Sequence, residues 1–230
     1  MSLIMARAKS AWLLAFADVV TLLITFFIMT IALHKGEISK LQRWVEQQIT
    51  ESYLQIESNI QQQQLDSIEA KRSVRGIVLT LRSDEAFESA SYIPTQKAQQ
   101  QLKSLAEVLT QTPLFAWHDN SDMRHIIDSA KADGMHWWVD INAEGHTDND
   151  RVDPLSPLRN NFFLSTLRAQ NVMQLLHQYS ALPVTVFSVS GYGPWQPLAS
   201  NANAIGKAKN RRVEIVINAS FQQLAKADGS

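Results

Sequence analysis

Two places in this chain put reactive side chains where they could do work. The first is a lone acid in an apolar run. From Ala11 to Leu33 the chain reads AWLLAFADVVTLLITFFIMTIAL; 19 of these 23 residues are apolar, the exceptions being Asp18, Thr21, Thr25 and Thr30. A carboxylate inside a lipid-compatible helix is costly and marks a functional position by default. At 100° per residue, Thr21 and Thr25 fall within about 60° of Asp18. A protonatable carboxylate flanked by hydroxyls suits a path for H+ or Na+, and these residues serve either ion. The plainer alternative is a structural aspartate that hydrogen-bonds a neighbouring helix.

The second place is Gly145-His146-Thr147-Asp148-Asn149-Asp150, followed downstream by Arg168. Leu164, Leu167, Val172 and Leu175 form the apolar stripe of a helix, and Arg168 projects near its middle. An arginine so placed needs an anionic partner in a cleft, unless its stem packs while the guanidinium snorkels to water. A carboxylate at a strand end and an arginine on the next helix form a two-point clamp for a zwitterion: Asp holds an ammonium, Arg grips a carboxylate. The acidic loop lacks the glycine of an EF-hand. His146 and Asp148 have no further partners at metal or triad spacing. With no nucleophile–base pair, no catalytic or metal site and no cofactor are expected, and the chain does not read as an enzyme.

The elements that must carry these residues follow from length and pattern. As a helix, the apolar run is about 34 Å long, enough for a hydrocarbon core of about 30 Å. It is too long for the core of a cleaved signal peptide. Arg7 and Lys9 precede it and Lys35, Lys40 and Arg43 follow, so basic residues alone do not choose an orientation. From Glu37 to Arg75 there is no Gly or Pro, and Ile38, Leu41, Val45, Ile49, Tyr53, Ile56, Ile60 and Ile68 recur at helical spacing. An amphipathic helical connector is expected there. From Gly76 strands alternate with helices: a strand at 77–81, a helix from Pro94 to about Gln111, a strand from Trp137 to Gly145, a helix from Asn161 to Tyr179, and strands at 184–189 and 213–217. That order predicts a layered α/β domain with a mixed sheet. Met123, Ile126, Ile127 and Ala130 predict a small helix within 112–136.

Whole-chain averages conceal this division. Over 230 residues the net charge is −1, the pI about 6.6 and the mean hydropathy −0.14. A near-neutral chain argues against nucleic-acid binding, and the absence of cysteine excludes disulfides and thiol chemistry.

Ala17-Asp18-x-x-Thr21, with Leu22-Leu23 and Phe26-Phe27, resembles the membrane helix of MotB-type stator subunits. Gly145-His146-Thr147-Asp148, Asn161-x-x-Leu164-Ser165-x-x-Arg168-Ala169, Gly191-Tyr192-Gly193 and Asn210-Arg211-Arg212-Val213-Glu214 together resemble the OmpA-like peptidoglycan-binding domain. The first resemblance implies Asp18 as ion carrier, with Thr21 beside it. It also implies a homodimer whose two helices sit inside a ring, a pentamer, of a multi-span MotA-like partner. It implies a plug at Ile38, Leu41, Trp44 and Val45, although a coiled-coil stalk explains the same residues. The second implies Asp148 and Arg168 holding the diaminopimelate end of the peptidoglycan stem peptide, with Thr147, Asn161 and Arg212 lining the site.

The implied layout is a cytoplasmic N-terminus (1–10), a single inner-membrane helix (11–33), a periplasmic plug or stalk (34–73), an OmpA-like domain (74–218) and a tail (219–230). As a helix the connector would be about 63 Å long, short for a flagellar stator. A Zorya-type anti-phage motor subunit and a passive wall tether are therefore the alternatives to a flagellar or related stator.

Overall fold

The protein is described from a computed structural model covering residues 2–88 and 91–223, with side chains from residue 12 onward except 32–39. The expected cytoplasmic residues 1–10, the Ile38 side chain and the tail beyond 223 therefore lie outside the described side chains or residues. The chain divides into two compact units, one through Trp44 and one from Val45.

Helix α1 runs Ser2–Gln62. In the first unit its window Trp12–Ile31 is long and apolar enough to cross a membrane, and none of it is buried within the chain. The three threonine hydroxyls there donate to carbonyls one turn back, Thr21 to Asp18, Thr25 to Leu22 and Thr30 to Phe26, at 2.8–2.9 Å. The span thus satisfies its hydroxyls internally, as a helix in lipid must.

The second unit begins inside the expected stalk. Val45, Ile49 and Ile56 are buried, at 8%, 1% and 0% exposure. Their spacing is that of one helix face, and that face belongs to the domain core. The expected continuous helix to Arg75 is wrong beyond Gln62. Gln64 adopts a left-handed conformation at φ 52°, and β1 (Ile68–Ser73) follows. Ile68 fitted the helical spacing, yet it pairs with Leu81 of β2 (Gly76–Arg82) in an antiparallel hairpin. Cross-strand pairing overrides a local helical pattern.

After β2 come α2 (Ser83–Ala86), α3 (Gln96–Thr110), α4 (Ser121–Ala132), β3 (Met135–His146), α5 (Asn161–Ser180), β4 (Phe187–Gly193), α6 (Ala204–Asn210) and β5 (Arg212–Gln223). The strand order is β1-β2-β5-β3-β4. Only β3 and β4 pair in parallel, so the sheet is mixed as expected. Side chains alternate along each strand. Ile77, Leu79 and Leu81, Val213, Ile215 and Ile217, and Ile141 and Ala143 form one buried face. Helix α5 packs on β3 and β4 and against α3.

Thr95 caps α3, accepting from the Ala98 amide, and Asn120 caps α4, accepting from Asp122 and Met123. The latter is the small helix expected within 112–136. Two strand boundaries differ from the sequence reading. Val184–Val186 form a 3-10 turn after Pro183, and β4 instead extends through Gly191-Tyr192-Gly193. Strand β5 continues past 218 to Gln223, paired throughout with β3. Ala219 and Phe221 continue the alternation of Ile217 between polar residues, and β3 supplies the pairing.

Candidate functional site

Asp148 and Arg168 line one cleft. Strand β3 ends at His146, and Thr147 and Asp148 follow directly. Gly145 is required just before them: a Cβ there would lie 1.9 Å from the Ser165 carbonyl oxygen of α5. The missing side chain lets β3 and α5 approach until Asp148 and Arg168 share a cavity of about 590 Å³. Thr147, Asn161, Leu164 and Arg211 also line it, with Asp84 and Phe87 from the α2 segment.

The polar groups around Asp148 are held by hydrogen bonds. The Thr147 amide donates to the Gly193 carbonyl (2.9 Å), and its hydroxyl donates to the Asp148 carbonyl (2.9 Å). Asn161, at the start of α5, donates its side-chain amide to the carbonyls of Asp148 and Asp150 (3.3 and 2.8 Å). The Asp148 carboxylate accepts from the Asp150 amide (3.1 Å) and from Arg211 Nη1 (2.6 Å). Arg211 also grips Asp84 through Nε and Nη2, at 2.8 and 2.7 Å. These bonds, to Asp84 first, hold the Arg211 pKa above its ordinary value despite partial burial.

Arg168 is 5% exposed. Its Nε donates to the Ser91 carbonyl (2.9 Å), and its guanidinium lies 5.0 Å from the centre of the Phe87 ring. Among the described residues it forms no ion pair. Burial pulls its pKa down to about 10, partly opposed by the field of Asp84, so it stays charged at neutral pH. A buried, charged fork with no carboxylate partner lies beside two carboxylates joined through one arginine. That arrangement has the charges to meet a ligand carrying both a carboxylate and an ammonium.

Arg212 does not line this cleft. It begins β5 with its side chain on the face opposite Val213. There it is 2% exposed and bonds Glu214 at 2.6 Å and the carbonyls of Asn210 and Gln196 at 3.3 Å. Its neighbour Arg211 takes the cleft position. Strand alternation carries the signal for this: Val213 must face the core, so Arg212 must face away with Glu214. Asp84 and Phe87 leave no comparable signal in sequence.

On that opposite face the structure gives His146 the partners that spacing could not reveal. Glu144, His146 and Glu214 place ligand atoms within 4.8 Å of one another. Both carboxylates are already paired with arginines, Glu144 with Arg75 (2.5 Å) and Glu214 with Arg212 (2.6 Å). Two acids and two guanidiniums balance without a metal ion. The His146 ring stacks on Tyr192 at 5.3 Å, and both ring nitrogens are buried without a hydrogen-bond partner. Burial, reinforced by Arg212, pushes its pKa down to about 4.

The membrane-length window carries Asp18 with its side chain exposed, and the Thr21 hydroxyl bonds the Asp18 backbone carbonyl rather than its carboxylate. Of the expected plug residues, Leu41 and Trp44 lie on α1 in the first unit, whereas Val45 is buried in the second.

Residues 5–47 match a family described as the membrane MotB of the proton-channel complex MotA/MotB. Motility protein B of Bacillus subtilis is 32% identical over 164 residues, 71% of this chain. The chain is MotB-like. It spans about half (53%) of that relative's length. A MotB-like protein of Desulfovibrio vulgaris superposes with a TM-score of 0.61 over 78% of this chain and 99% of the other, at 21% identity. The type VI secretion cell wall anchor of Pseudomonas aeruginosa superposes with a TM-score of 0.52 over 72% of this chain and 97% of the other, at 27% identity. The family model covers the membrane segment, and the solved structures show the fold of the domain that bears the cleft.

Proposed function

We propose that the protein is the wall-anchored B subunit of an ion-driven membrane motor. It spans the inner membrane once, with its C-terminal domain in the periplasm, and works as a homodimer with a multi-span MotA-like partner. Asp18 passes H+ or Na+, with Thr21 beside it. Asp148 and Arg168 hold the diaminopimelate end of a peptidoglycan stem peptide, and Thr147 and Asn161 shape the turn that presents Asp148. Arg211 joins Asp148 to Asp84, leaving one net negative charge on that wall of the cleft.

One juxtaposition carries this reading. A single chain joins a membrane-length helix holding one acid to a cleft where a buried, unpaired guanidinium faces carboxylates. The first suits charge movement through lipid; the second suits a fixed zwitterionic anchor.

Asp18→Asn is expected to abolish ion flux and motor output in cells expressing both subunits while leaving peptidoglycan sedimentation unchanged. Unaltered output would sink the ion-path reading. Asp148→Ala and Arg168→Ala are each expected to weaken sedimentation with purified peptidoglycan at least about tenfold, or about 1.4 kcal/mol. Wild-type pelleting by both would remove the clamp. A passive tether is the second reading, favoured by the likeness to a secretion-system cell wall anchor. It requires Asp18→Asn to leave every cellular phenotype intact.

A further inference from the structure

We infer that Glu144, His146 and Glu214 form a binding site for a first-row divalent transition ion such as Zn2+, with the Arg75 guanidinium holding the ion's place. Glu144 pairs directly with Glu214 across β3 and β5, and His146 lies two residues further along β3. Alternation therefore puts all three on one face of the sheet. Two carboxylates directly opposite on neighbouring strands repel each other, so this pair needs a cation between them.

The hydrogen bonds show where that cation belongs. Arg75 Nη2 lies 2.5 Å from Glu144 Oε2 and 3.4 Å from Glu214 Oε2. The other oxygen of each acid is engaged elsewhere: Glu144 Oε1 accepts from Asn142 (2.9 Å), and Glu214 Oε1 from Arg212 (2.6 Å). Both Oε2 atoms thus converge on one nitrogen of a side chain that can leave. Arg75 sits in the turn between β1 and β2 with its side chain 43% exposed. It can swing into water without unpacking the core.

His146 separates an ion site from a plain ion pair. The residue is 1% exposed, its ring is held against Tyr192, and neither ring nitrogen has a hydrogen-bond partner. A buried polar nitrogen left unpaired is costly, and a metal ion would engage one of the two. One ring nitrogen and one oxygen from each acid already lie within 4.8 Å of one another. Tetrahedral ligands about 2.1 Å from a shared ion stand about 3.4 Å apart, so capture draws the three together by about 1.5 Å at most. An imidazole among carboxylates suits Zn2+ and its neighbours, whereas Mg2+ and Ca2+ favour shells of oxygen alone. Departure of Arg75 leaves a further coordination position open to water. Arg212 stays, so the filled site carries one positive charge in excess, and a Kd of about micromolar is expected rather than the tightness of a structural zinc.

The test uses the full-length chain, free of any histidine tag, in detergent micelles, with Zn2+ as the probe and calorimetry as the readout. Wild type is expected to bind Zn2+, and Arg75→Ala to bind it about tenfold more tightly because the guanidinium no longer competes. His146→Ala is expected to lose the binding. X-ray absorption of the Zn2+ complex of Arg75→Ala is expected to show an imidazole nitrogen among oxygen ligands. Absence of Zn2+ binding by wild type overturns the assignment. An affinity that Arg75→Ala fails to raise, or that survives His146→Ala, overturns it too and places the ion elsewhere on the chain. Should His146→Ala fail to fold, the Arg75→Ala affinity decides alone, since that exposed turn residue leaves the core intact. The cleft reading is untouched by any of these outcomes, because neither Arg75 nor the three ligands line the cleft.

Discussion

Arg211 and Arg212 are adjacent in sequence and occupy opposite faces of the sheet. Arg211 spans Asp84 and Asp148 in the cleft. Arg212 is sealed against Glu214 on the other face. Removing one partner of a buried pair leaves an uncompensated charge and costs about 3–5 kcal/mol. Arg212→Gln is therefore expected to lower stability to chemical denaturation by about that amount. The affinity of the remaining folded protein for a diaminopimelate peptide should stay at the wild-type value. A selective loss of affinity without a loss of stability would return Arg212 to the binding site. His146 belongs to the same buried face and gives it a pH dependence. Arg75, Arg212, Glu144 and Glu214 face the imidazole, and its pKa falls to about 4 from an ordinary 6.5. Between those values the unfolded chain holds a proton that the folded chain does not, so stability rises with pH across that window. Acidifying from pH 7 to 4.5 is expected to cost on the order of 2 kcal/mol. His146→Gln should flatten the slope. Glu144, whose carboxyl is held up by burial, titrates with the opposite sign, so the difference between wild type and His146→Gln isolates the imidazole.

At the scale of elements, α1 from Val45 to Gln62 is part of the folded domain rather than a free stalk. Ile56 is fully buried, and Gln55 donates to the Gln111 carbonyl at the end of α3. Ile56→Ala is expected to destabilise the domain by about 2–5 kcal/mol, read as a shift in the denaturation midpoint. A solvated stalk position would shift it by less than about 0.5 kcal/mol. The same elements explain what the sequence could and could not disclose. The alternation in β3 is a local pattern, and the helices expected from Pro94 and from Asn161 formed within two residues of those starts, although α5 buries Ala169 and Leu176 where Leu167 and Leu175 were expected. Asp148 and Arg168 were legible because a strand end and an apolar helix face are local features too. Strand β1 was not legible: Ile68 fits a helical spacing, and only pairing with Leu81 makes it a strand. The end of β5 carries a weaker local signal, Ala219 and Phe221 alternating with polar residues, and β3 supplies its pairing. Asp84 reaches the cleft through a bond to Arg211, 127 positions away in sequence, a distance that no local pattern spans.

Across the whole molecule, β3 occupies an unusual place in the sheet. It is hydrogen-bonded on both flanks, antiparallel to β5 along all 12 of its residues and parallel to β4 from Ile141. Asp148 lies two residues beyond its end. In the proposed anchor, pulling on a ligand held at Asp148 would load β3 from its C-terminal end. Its ladder bonds lie roughly across the strand axis, so force along that axis must shear both flanking ladders together instead of opening one edge bond by bond. If the cleft anchors the chain as proposed, a load applied there would spread through β5, β3 and β4 before any single bond carried it.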